Sequence, residues 1–366
     1  RQVEGKRRAW ALGAIVPADS CHAAPPTLAD EVAFLSAPAA YSARPGLVTR
    51  RETHMSWVFF ADDTVYKLKK PIRLSYLDFS TLPRREAACR AEFALNQPLA
   101  PGVYLGVVAL TQTRAGLALG GRGEVVEWLV RMRRLDDART LEVQLRAARA
   151  ADLDIDGLAD LLARFYHHAP AVHRSPSAHL ARWRALLEQT QRVLRDPRLG
   201  LPSGLVRSVL AVQDRFLRTR ATMLARRSVD ARIIEAHGDL RPEHIWMGPP
   251  VKIIDRLEFS AELRTIDWAD ELAALEVEME RLGAAGAGRR LGSRVLAALH
   301  DAPPPELYLF YRIYRALLRA RFAIAHLLEP EPRTPEKWPS QARDYLAIAA
   351  RDARQLRRRL RTPADR

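Results

Sequence analysis

The chain has 366 residues, of which 48% are hydrophobic and 28% are charged, as in a soluble globular protein with one large domain or two lobes. No apolar run approaches the ~20 residues of a transmembrane helix, which argues against an integral membrane protein. The two cysteines, Cys21 and Cys89, provide no disulfide framework and suit a reducing environment, so a cytoplasmic location is expected.

The formal net charge of +15 suggests a nucleic-acid-binding protein. The arginines, however, are spread along the whole chain, and no nucleic-acid recognition motif accompanies them. The arginine-rich C-terminal stretch has a helical spacing that is typical of a solvated face. We therefore expect no nucleic-acid or membrane partner, whereas an anionic substrate is compatible with the charge.

Residues 1–26 show little periodic pattern, which predicts a mobile leader. Residues 28–35 have the pattern of a short helix. Residues 48–70 then alternate in the manner of β-strands. This alternation places Lys67 and Lys69 on the same face of the last strand.

Lysine is rare in this chain and is concentrated at one place. Only six of the 58 basic residues are lysine, and three of the six, Lys67, Lys69 and Lys70, fall within four positions. A lysine is a compact point charge on a flexible stem, which suits phosphate binding. The alternative, a basic strand edge that opposes aggregation, stays open for Lys70.

A helix is predicted after an N-cap at Ser80 or Thr81. On this helix Glu92 has apolar neighbours at helical spacing, and a carboxylate in such surroundings is costly unless it is paired. A lysine of the preceding strands is the expected partner. Glu86 is the alternative carboxylate, although Arg90 at i+4 already offers it a surface partner.

The remaining pattern is strands followed by helices. Three strands are predicted at residues 103–110, 117–119 and 125–132. Helices are predicted at residues 153–168, 179–194, 205–227, 268–282, 289–299, 306–328 and 339–361. The expected fold is α+β with two lobes, a small β-rich N-lobe at residues 27–135 and a larger helical C-lobe at residues 136–366.

A short hairpin interrupts the helices at residues 237–259. Two apolar runs flank a Gly-Pro-Pro turn, which predicts a β-hairpin that brings Asp239 near Asp255. Phosphoryl transfer needs such a pair of carboxylates. One accepts or orients the hydroxyl proton, and the other holds the magnesium ion on the nucleotide phosphates. The alternative is that Asp239 is a turn residue and Asp255 caps a strand.

Six segments, in order along the chain, carry the most specific information. They are Glu52-Thr-His-Met-Ser-Trp57, Val65-Tyr-Lys-Leu-Lys-Lys-Pro71, Leu77-Asp-Phe-Ser-Thr81, His237-Gly-Asp239, Ile254-Asp255 with Glu258-Phe259, and Arg264-Thr-Ile-Asp-Trp-Ala-Asp-Glu-Leu-Ala273. Together they resemble the protein-kinase-like superfamily, specifically the bacterial aminoglycoside-phosphotransferase-like enzymes, over about residues 28–328. The best match is a subgroup often fused to a P-loop ATPase domain, which we do not expect within these 366 residues.

The resemblance implies a two-lobed protein-kinase-like fold and roles for the residues at matching positions. Asp239 resembles the catalytic aspartate, and Asp255 resembles the metal-binding aspartate. Lys67 looks like the phosphate-binding lysine, with Lys69 as the alternative because the two share a face. Glu92 would be the ion-pair partner of that lysine.

The same resemblance implies a nucleotide site in the N-lobe. Residues 52–57, which include Ser56, look like the loop that covers the phosphates. The segment from Val130 to Met132 resembles the hinge that meets adenine through backbone groups.

Three further positions look structural. His237 is expected to hydrogen-bond the backbone and hold its loop, rather than act as a base. Asp267 and Asp270 resemble anchors at the start of the next helix, where carboxylates are favoured.

Two features depart from the family pattern. Kinase-like enzymes usually carry a magnesium-binding asparagine five residues after the catalytic aspartate, and His244 stands there instead. Imidazole is a poorer magnesium ligand than oxygen, so three alternatives stay open. The metal rests on Asp255, with Glu258 as a second candidate ligand, or His244 has only an orienting role, or the metal site is weakened. The loop over the phosphates contains no glycine, so any backbone cradle has to come from residues 53–56.

The sequence therefore predicts an ATP- and Mg²⁺-dependent kinase that phosphorylates a hydroxyl group of a small molecule. The alternative is a nucleotide-binding pseudokinase or regulatory module with weak or no transfer activity, which His244 and the glycine-free loop would favour. A third reading, an RNA-associated protein, would rest on charge alone.

Overall fold

The computed structural model describes residues 25–328 and 336–361. A curled β-sheet forms the N-lobe and helices form the C-lobe, so the predicted two-lobed α+β fold is confirmed. The predicted leader lies almost entirely outside the described residues. Within the two described ranges, no helix is both long and apolar enough to cross a membrane.

The N-lobe consists of a six-stranded antiparallel sheet, a short separate hairpin and two helices. Its elements are α1 (Leu28–Leu35), β1 (Val48–Glu52), β2 (Ser56–Ala61), β3 (Thr64–Lys69), β4 (Arg73–Leu74), β5 (Leu77–Asp78), α2 (Leu82–Asn96), β6 (Tyr104–Thr113), β7 (Gly116–Leu119) and β8 (Glu124–Arg133). The order in the sheet is β1-β2-β3-β8-β6-β7, and β4 pairs with β5. Strands β3 and β8 therefore form the middle of the sheet.

Strand β3 directs its lysines toward α2. Lys67 pairs with Val58 on β2 and with Val130 on β8, which fixes its position in the centre of the sheet. The opposite face of the sheet packs against α1 through the buried side chains of Val32, Leu35, Phe59, Leu68, Leu110 and Leu129. Because one face is apolar and covered, the lysines lie on the face that meets α2.

Helix α1 buries a carboxylate against the sheet. A capping box of Thr27 and Asp30 starts this helix, and Glu31 in its first turn is buried. Burial, together with the nearby Glu127 carboxylate, raises the pKa of Glu31 to about 8, although Arg85 opposes this shift.

Glu31 is expected to contribute a loss of stability as the pH rises from about 4.5 to about 8, a downward slope, because the folded protein retains a proton on Glu31 that the unfolded chain releases. Glu31→Gln stays neutral, so it should reduce this slope and increase stability at the upper end of the range. Urea unfolding at both ends of the range measures the effect. Glu86→Gln on the exposed face of α2 is the control, and an unchanged slope in Glu31→Gln would contradict the assignment.

The C-lobe is helical, with two short ladders at its boundary to the N-lobe. Its elements are α3 (Leu141–Arg146), α4 (Ile155–His168), α5 (Pro176–Leu194), α6 (Ser203–Thr219), α7 (Ala221–Val229), β9 (Ile233–Glu235), β10 (Ile245–Trp246), β11 (Lys252–Ile253), α8 (Ala261–Arg264), β12 (Thr265–Asp267), α9 (Trp268–Arg281), α10 (Ala285–Ala298), α11 (Pro305–Ala325) and α12 (Lys337–Arg359). Strand β9 pairs with β12, and β10 pairs with β11. Eleven of the 14 residues of α9 are buried, so α9 is the central helix around which α10, α11 and α12 pack.

One predicted helix is in fact two helices. The sequence predicts a single helix at residues 205–227, whereas α6 ends at Thr219 and α7 begins at Ala221. Arg220 between them has φ −136° and ψ 18°, outside the helical region. No glycine or proline marks this break, so it arises from the packing of α7 against α5 rather than from local sequence. The other predicted elements are present with ends shifted by a few residues.

Candidate active site

The hairpin places Asp239 and Asp255 on either side of one histidine. Asp239 precedes β10 and Asp255 follows β11, and these strands pair in antiparallel fashion. His244 lies between the two carboxylates, with its Nδ1 atom 3.8 Å from Asp239 Oδ2 and its Nε2 atom 3.6 Å from Asp255 Oδ2. Both carboxylates reach solvent, since the side chains of Asp239 and Asp255 are 44% and 40% exposed.

The loop that carries Asp239 requires a glycine at position 238. Gly238 has φ +89°, and a Cβ atom added to it would lie 2.9 Å from the Cβ of Arg264 and 3.2 Å from the Cβ of Leu257. Another residue here would strain the backbone and clash with both neighbours. Glycine is therefore what allows Asp239 to occupy its position.

Asp255 is held in an unusual backbone conformation. Its φ of 63° lies in the left-handed region, which aspartate tolerates better than most residues. Its backbone N–H donates to the Tyr104 hydroxyl at 3.0 Å, and its Oδ1 atom accepts from Lys67 at 2.6 Å. Desolvation is the largest single influence and opposes ionisation of Asp255, but the groups around it, Lys67 foremost, together hold the pKa of this carboxyl below its usual range.

Five charged side chains form a network between β3, α2 and the segment after β11. Glu92 accepts from both lysines, from Lys67 at 2.9 Å and from Lys69 at 2.6 Å. Lys67 also donates to Asp255, and Lys69 also donates to Glu258. Although burial alone would lower the pKa of each lysine, these carboxylates raise the pKa of both lysines above the usual range, so both stay charged.

The network separates the alternatives that the sequence leaves open. The Lys67 side chain is 15% exposed and meets Asp255, whereas the Lys69 side chain is only 1% exposed and lies beneath it. A nucleotide phosphate would therefore encounter Lys67 first. Glu86 forms a surface ion pair with Arg90 and takes no part in the network. Lys70, in turn, bonds to Glu52 and to the Thr53 carbonyl, and it does not lie on a sheet edge.

Few donor atoms are placed to bind a metal ion. Asp255 Oδ2 and His244 Nε2 face each other, while Glu258 is 8% exposed and bonded to Lys69. Among the described residues, no group of three or more His, Cys, Asp or Glu side chains converges as a metal site. An ion held here needs further ligands such as phosphate oxygens and water. A divalent ion bound with a nucleotide takes most of its ligands from phosphates and water, so one carboxylate oxygen at Asp255 fits such an ion.

His237 bonds only to the backbone through its two ring nitrogens. Its Nε2 atom is 3.0 Å from the Ile254 carbonyl oxygen, and its Nδ1 atom accepts from the Asp239 N–H at 3.3 Å. Burial lowers the pKa of His237 to about 4, so the ring is neutral at physiological pH. His237 thus links the strand before Asp255 to the loop of Asp239.

Glu271 is a positioning residue that sequence reasoning missed. Its buried carboxylate accepts from the backbone N–H groups of His237 at 3.1 Å and Gly238 at 2.7 Å, and from the Tyr166 hydroxyl at 2.8 Å. Burial raises its pKa, although these hydrogen bonds oppose the shift. The sequence did offer a signal for this role. Glu271 follows directly after the Asp267-Trp-Ala-Asp270 segment at the start of a helix, and a carboxylate that faces a helical core needs hydrogen-bond partners.

Glu271→Ala is expected to lower the free energy of unfolding by about 2–4 kcal/mol, because it leaves two backbone N–H groups and a hydroxyl unpaired in the core. Urea denaturation measures this loss. Hydrogen exchange at His237 and Gly238 should accelerate more than exchange elsewhere in the C-lobe. Glu142→Ala, which removes a surface partner of Arg146, is the control. A Glu271→Ala protein as stable as this control would contradict the proposed anchoring.

Asp267 and Asp270 lie at the start of α9, where the sequence predicts them. Asp267 is the N-cap of α9, accepts from the Ala269 N–H at 2.8 Å, and is bonded to Arg227 and Tyr311. Asp270 forms a bidentate ion pair with Arg315, in which Nε donates to Oδ1 at 2.7 Å and an Nη atom donates to Oδ2 at 2.5 Å. Both side chains are buried.

The structure does not fit the predicted backbone contact between adenine and the Val130–Met132 segment. Strand β8 has β3 on one side and β6 on the other: Val130 pairs with Lys67 and Val107, and Met132 pairs with Val65 and Tyr104. The backbone groups of this segment therefore face neighbouring strands. A backbone contact with adenine would have to lie beyond β8, after Arg133.

Ser56 does not offer its side chain or its amide to a phosphate, as the prediction for this loop would require. Its side chain is buried, its N–H donates to the Thr53 hydroxyl, and its carbonyl accepts from the Thr53 N–H at 2.8 Å. The amides of Thr53 and Ser56 therefore close the turn between β1 and β2 and are not free to cradle a phosphate. Of residues 53–56, only His54 and Met55 keep amides outside these two bonds.

Relatives of the chain are recognisable by sequence. No known protein-family model matches it. An uncharacterized protein of Mycobacterium tuberculosis is 32% identical over 290 residues, which make up 77% of this chain and 56% of that protein. A Mycobacterium bovis protein matches to the same extent. The chain thus spans about half the length of the curated relatives it matches.

Two solved structures align with the chain at low sequence identity. A choline kinase from Cryptosporidium parvum aligns with a TM-score of 0.51 and 9% identity, covering 90% of this chain and 96% of that one. An aminoglycoside phosphotransferase from Streptomyces rimosus aligns with a TM-score of 0.45 and 16% identity, covering 79% and 98%. At such identities the first match shows the fold, and it agrees with the motifs in the sequence. The chain therefore shares the two-lobed fold of this kinase.

Proposed function

We propose that this chain is an ATP- and Mg²⁺-dependent phosphotransferase that passes the γ-phosphoryl group of ATP to a hydroxyl group of a small molecule. One observation carries the proposal. The Lys67 ammonium lies between the Glu92 and Asp255 carboxylates, and Asp239 stands on the far side of His244 from Asp255. A phosphate-binding cation, a metal-binding carboxylate and a second free carboxylate are the parts that phosphoryl transfer requires.

The nucleotide would lie between the N-lobe at residues 27–135 and the C-lobe at residues 136–366. Lys67 would bind its phosphates, held in place by Glu92 beneath the sheet. Asp255 would hold the divalent ion through Oδ2, the oxygen that Lys67 does not occupy. When bound, that ion neutralises charge on the phosphate oxygens and orients the γ-phosphoryl group.

Asp239 would orient the acceptor hydroxyl. Its side chain is 44% exposed, so an acceptor can reach it, and its backbone is fixed through Gly238 by Glu271. Phosphoryl transfer depends mainly on positioning and on charge stabilisation. A carboxylate held on a rigid loop supplies the positioning.

A second candidate is a nucleotide-binding module without transfer activity. It is favoured by the turn between β1 and β2, in which the amides of Thr53 and Ser56 are already bonded. Such a turn offers fewer donors to the γ-phosphate than a glycine-rich loop, and ATP could bind without efficient transfer.

Transfer of radiolabelled γ-phosphate from ATP to a panel of hydroxylated metabolites, amino alcohols and aminoglycosides tests both candidates. The choline kinase similarity supports including choline in that panel. Transfer by the wild-type protein that is lost in Lys67→Ala and retained in Lys337→Ala would support the phosphotransferase. ATP binding without transfer to any acceptor would favour the second candidate, and absence of ATP binding would contradict both.

A further inference from the structure

We infer that His244 is a metal ligand and makes this site prefer Mn²⁺ over Mg²⁺ as the ion bound with the nucleotide. The inference rests on the proposed function, because the nucleotide supplies the remaining ligands. It assigns a coordinating atom, His244 Nε2, to a position where an oxygen ligand would favour magnesium.

The tautomer of His244 follows from its first contact. The Nδ1 atom lies 2.9 Å from the backbone carbonyl oxygen of Asp239. A carbonyl oxygen only accepts hydrogen bonds, so Nδ1 carries the proton and donates it. In the neutral ring, the Nε2 atom therefore presents a lone pair.

That lone pair faces a second acceptor. Nε2 is 3.6 Å from Asp255 Oδ2, which is longer than a hydrogen bond. Two electron-rich atoms facing each other across such a gap are suited to a cation between them, because metal–ligand bonds to each are about 2.1 Å long.

The ring cannot easily turn away from this position. Its Nδ1 bond fixes one edge, and the His237 ring lies nearly parallel to it at a centroid distance of 6.2 Å and an interplanar angle of 23°. The His244 carbonyl also accepts from the Ile254 N–H at 2.9 Å, next to Asp255. A metal-binding histidine typically donates its other ring N–H to a carbonyl in this way, which orients the ligand.

The donor set decides the preference between ions. Asp255 Oδ2, phosphate oxygens and water suit both Mg²⁺ and Mn²⁺, whereas imidazole nitrogen is a poor ligand for Mg²⁺ and an acceptable one for Mn²⁺. The Lys67 bond to Oδ1 leaves Oδ2 as the Asp255 atom on the His244 side. The mixed nitrogen and oxygen site therefore favours Mn²⁺ over Mg²⁺.

Mn²⁺ and Mg²⁺ affinities in the presence of a non-hydrolysable ATP analogue test this inference, together with pulsed electron paramagnetic resonance of bound Mn²⁺. The wild-type protein should show nitrogen coupling from a histidine ligand. His244→Asn should lose the coupling and lower the ratio of Mn²⁺ to Mg²⁺ affinity at least tenfold. His168→Asn is the matched control, because the His168 Nδ1 also lies near a backbone carbonyl, that of Arg164, at 2.7 Å.

The outcomes separate the inference from the proposed function. If the analogue binds with either ion, but the coupling is absent and His244→Asn leaves the ratio unchanged, His244 only clamps the loop and the inference fails alone. If the analogue binds with neither ion, the proposed function and the inference both fail. Asp255→Asn should abolish ion-dependent binding of the analogue, which checks that the ion occupies this site.

Discussion

Asp239→Asn is expected to slow phosphoryl transfer by about 10²–10⁴-fold while leaving the affinity for ATP nearly unchanged. The substitution keeps the shape of the side chain and removes the charge that would orient the acceptor hydroxyl. ATP binding should persist, since the proposed nucleotide contacts are made by Lys67 and Asp255, which bond to each other and not to Asp239. Single-turnover kinetics with the acceptor identified by the transfer screen, together with calorimetric ATP titration, separates the two effects.

A neighbouring carboxylate provides the control for this experiment. Glu243 lies four residues further along the chain and is paired with Arg241, so Glu243→Gln changes local charge without touching Asp239. It should retain most of the wild-type rate. An Asp239→Asn protein with the wild-type rate would rule out the proposed mechanism, and one that unfolds at markedly lower temperature and loses ATP binding would identify Asp239 as a structural cap.

Lys69→Ala is expected to lower the free energy of unfolding by about 3–5 kcal/mol, because it leaves the buried carboxylates of Glu92 and Glu258 without one of their partners. Lys67→Ala should act differently. Its side chain is more exposed, and its expected loss is in ATP affinity rather than in stability. Urea denaturation and ATP titration of both variants, run side by side, measure the two quantities.

A surface lysine and a double variant complete the lysine experiment. Lys337→Ala removes an exposed ammonium from α12 and should change neither quantity. Lys69→Met combined with Glu258→Gln should recover part of the lost stability, because it also removes one uncompensated charge. If Lys69→Ala is as stable as the wild type and loses ATP affinity, the phosphate-binding role belongs to Lys69.

Elements with strong local signals could be predicted from the sequence. Helix α1 begins at Leu28 and ends at Leu35 as predicted, because a capping box starts it and an apolar face continues it. The partnership of Glu92 with a strand lysine was also predictable, since a carboxylate among apolar neighbours requires a counter-ion. The approach of Asp239 to Asp255 followed from the short turn between two apolar runs.

Features set by distant contacts could not be predicted. The pairing of Val130 and Met132 on both sides depends on strands about 25 and 65 residues away in sequence, so the sequence could not show that the backbone groups of this segment face neighbouring strands. The burial of Ser56 results from the turn that Thr53 closes. The anchoring of the catalytic-like loop by Glu271 joins groups separated by 33 and 34 residues. Periodicity carries no information about any of these contacts.

The hydrogen bonds between the segment at 252–256 and the stretch from the end of α2 to the start of β6 have a mechanical consequence. Asn96 Oδ1 accepts from the Arg256 N–H at 2.9 Å, the Leu99 carbonyl accepts from the Ile253 N–H at 3.0 Å, and the Tyr104 hydroxyl accepts from the Asp255 N–H. These hydrogen bonds connect the N-lobe to the C-lobe directly beside Asp255. A rotation of one lobe relative to the other would have its axis near these hydrogen bonds, so the distance between Lys67 and Asp255 would change little.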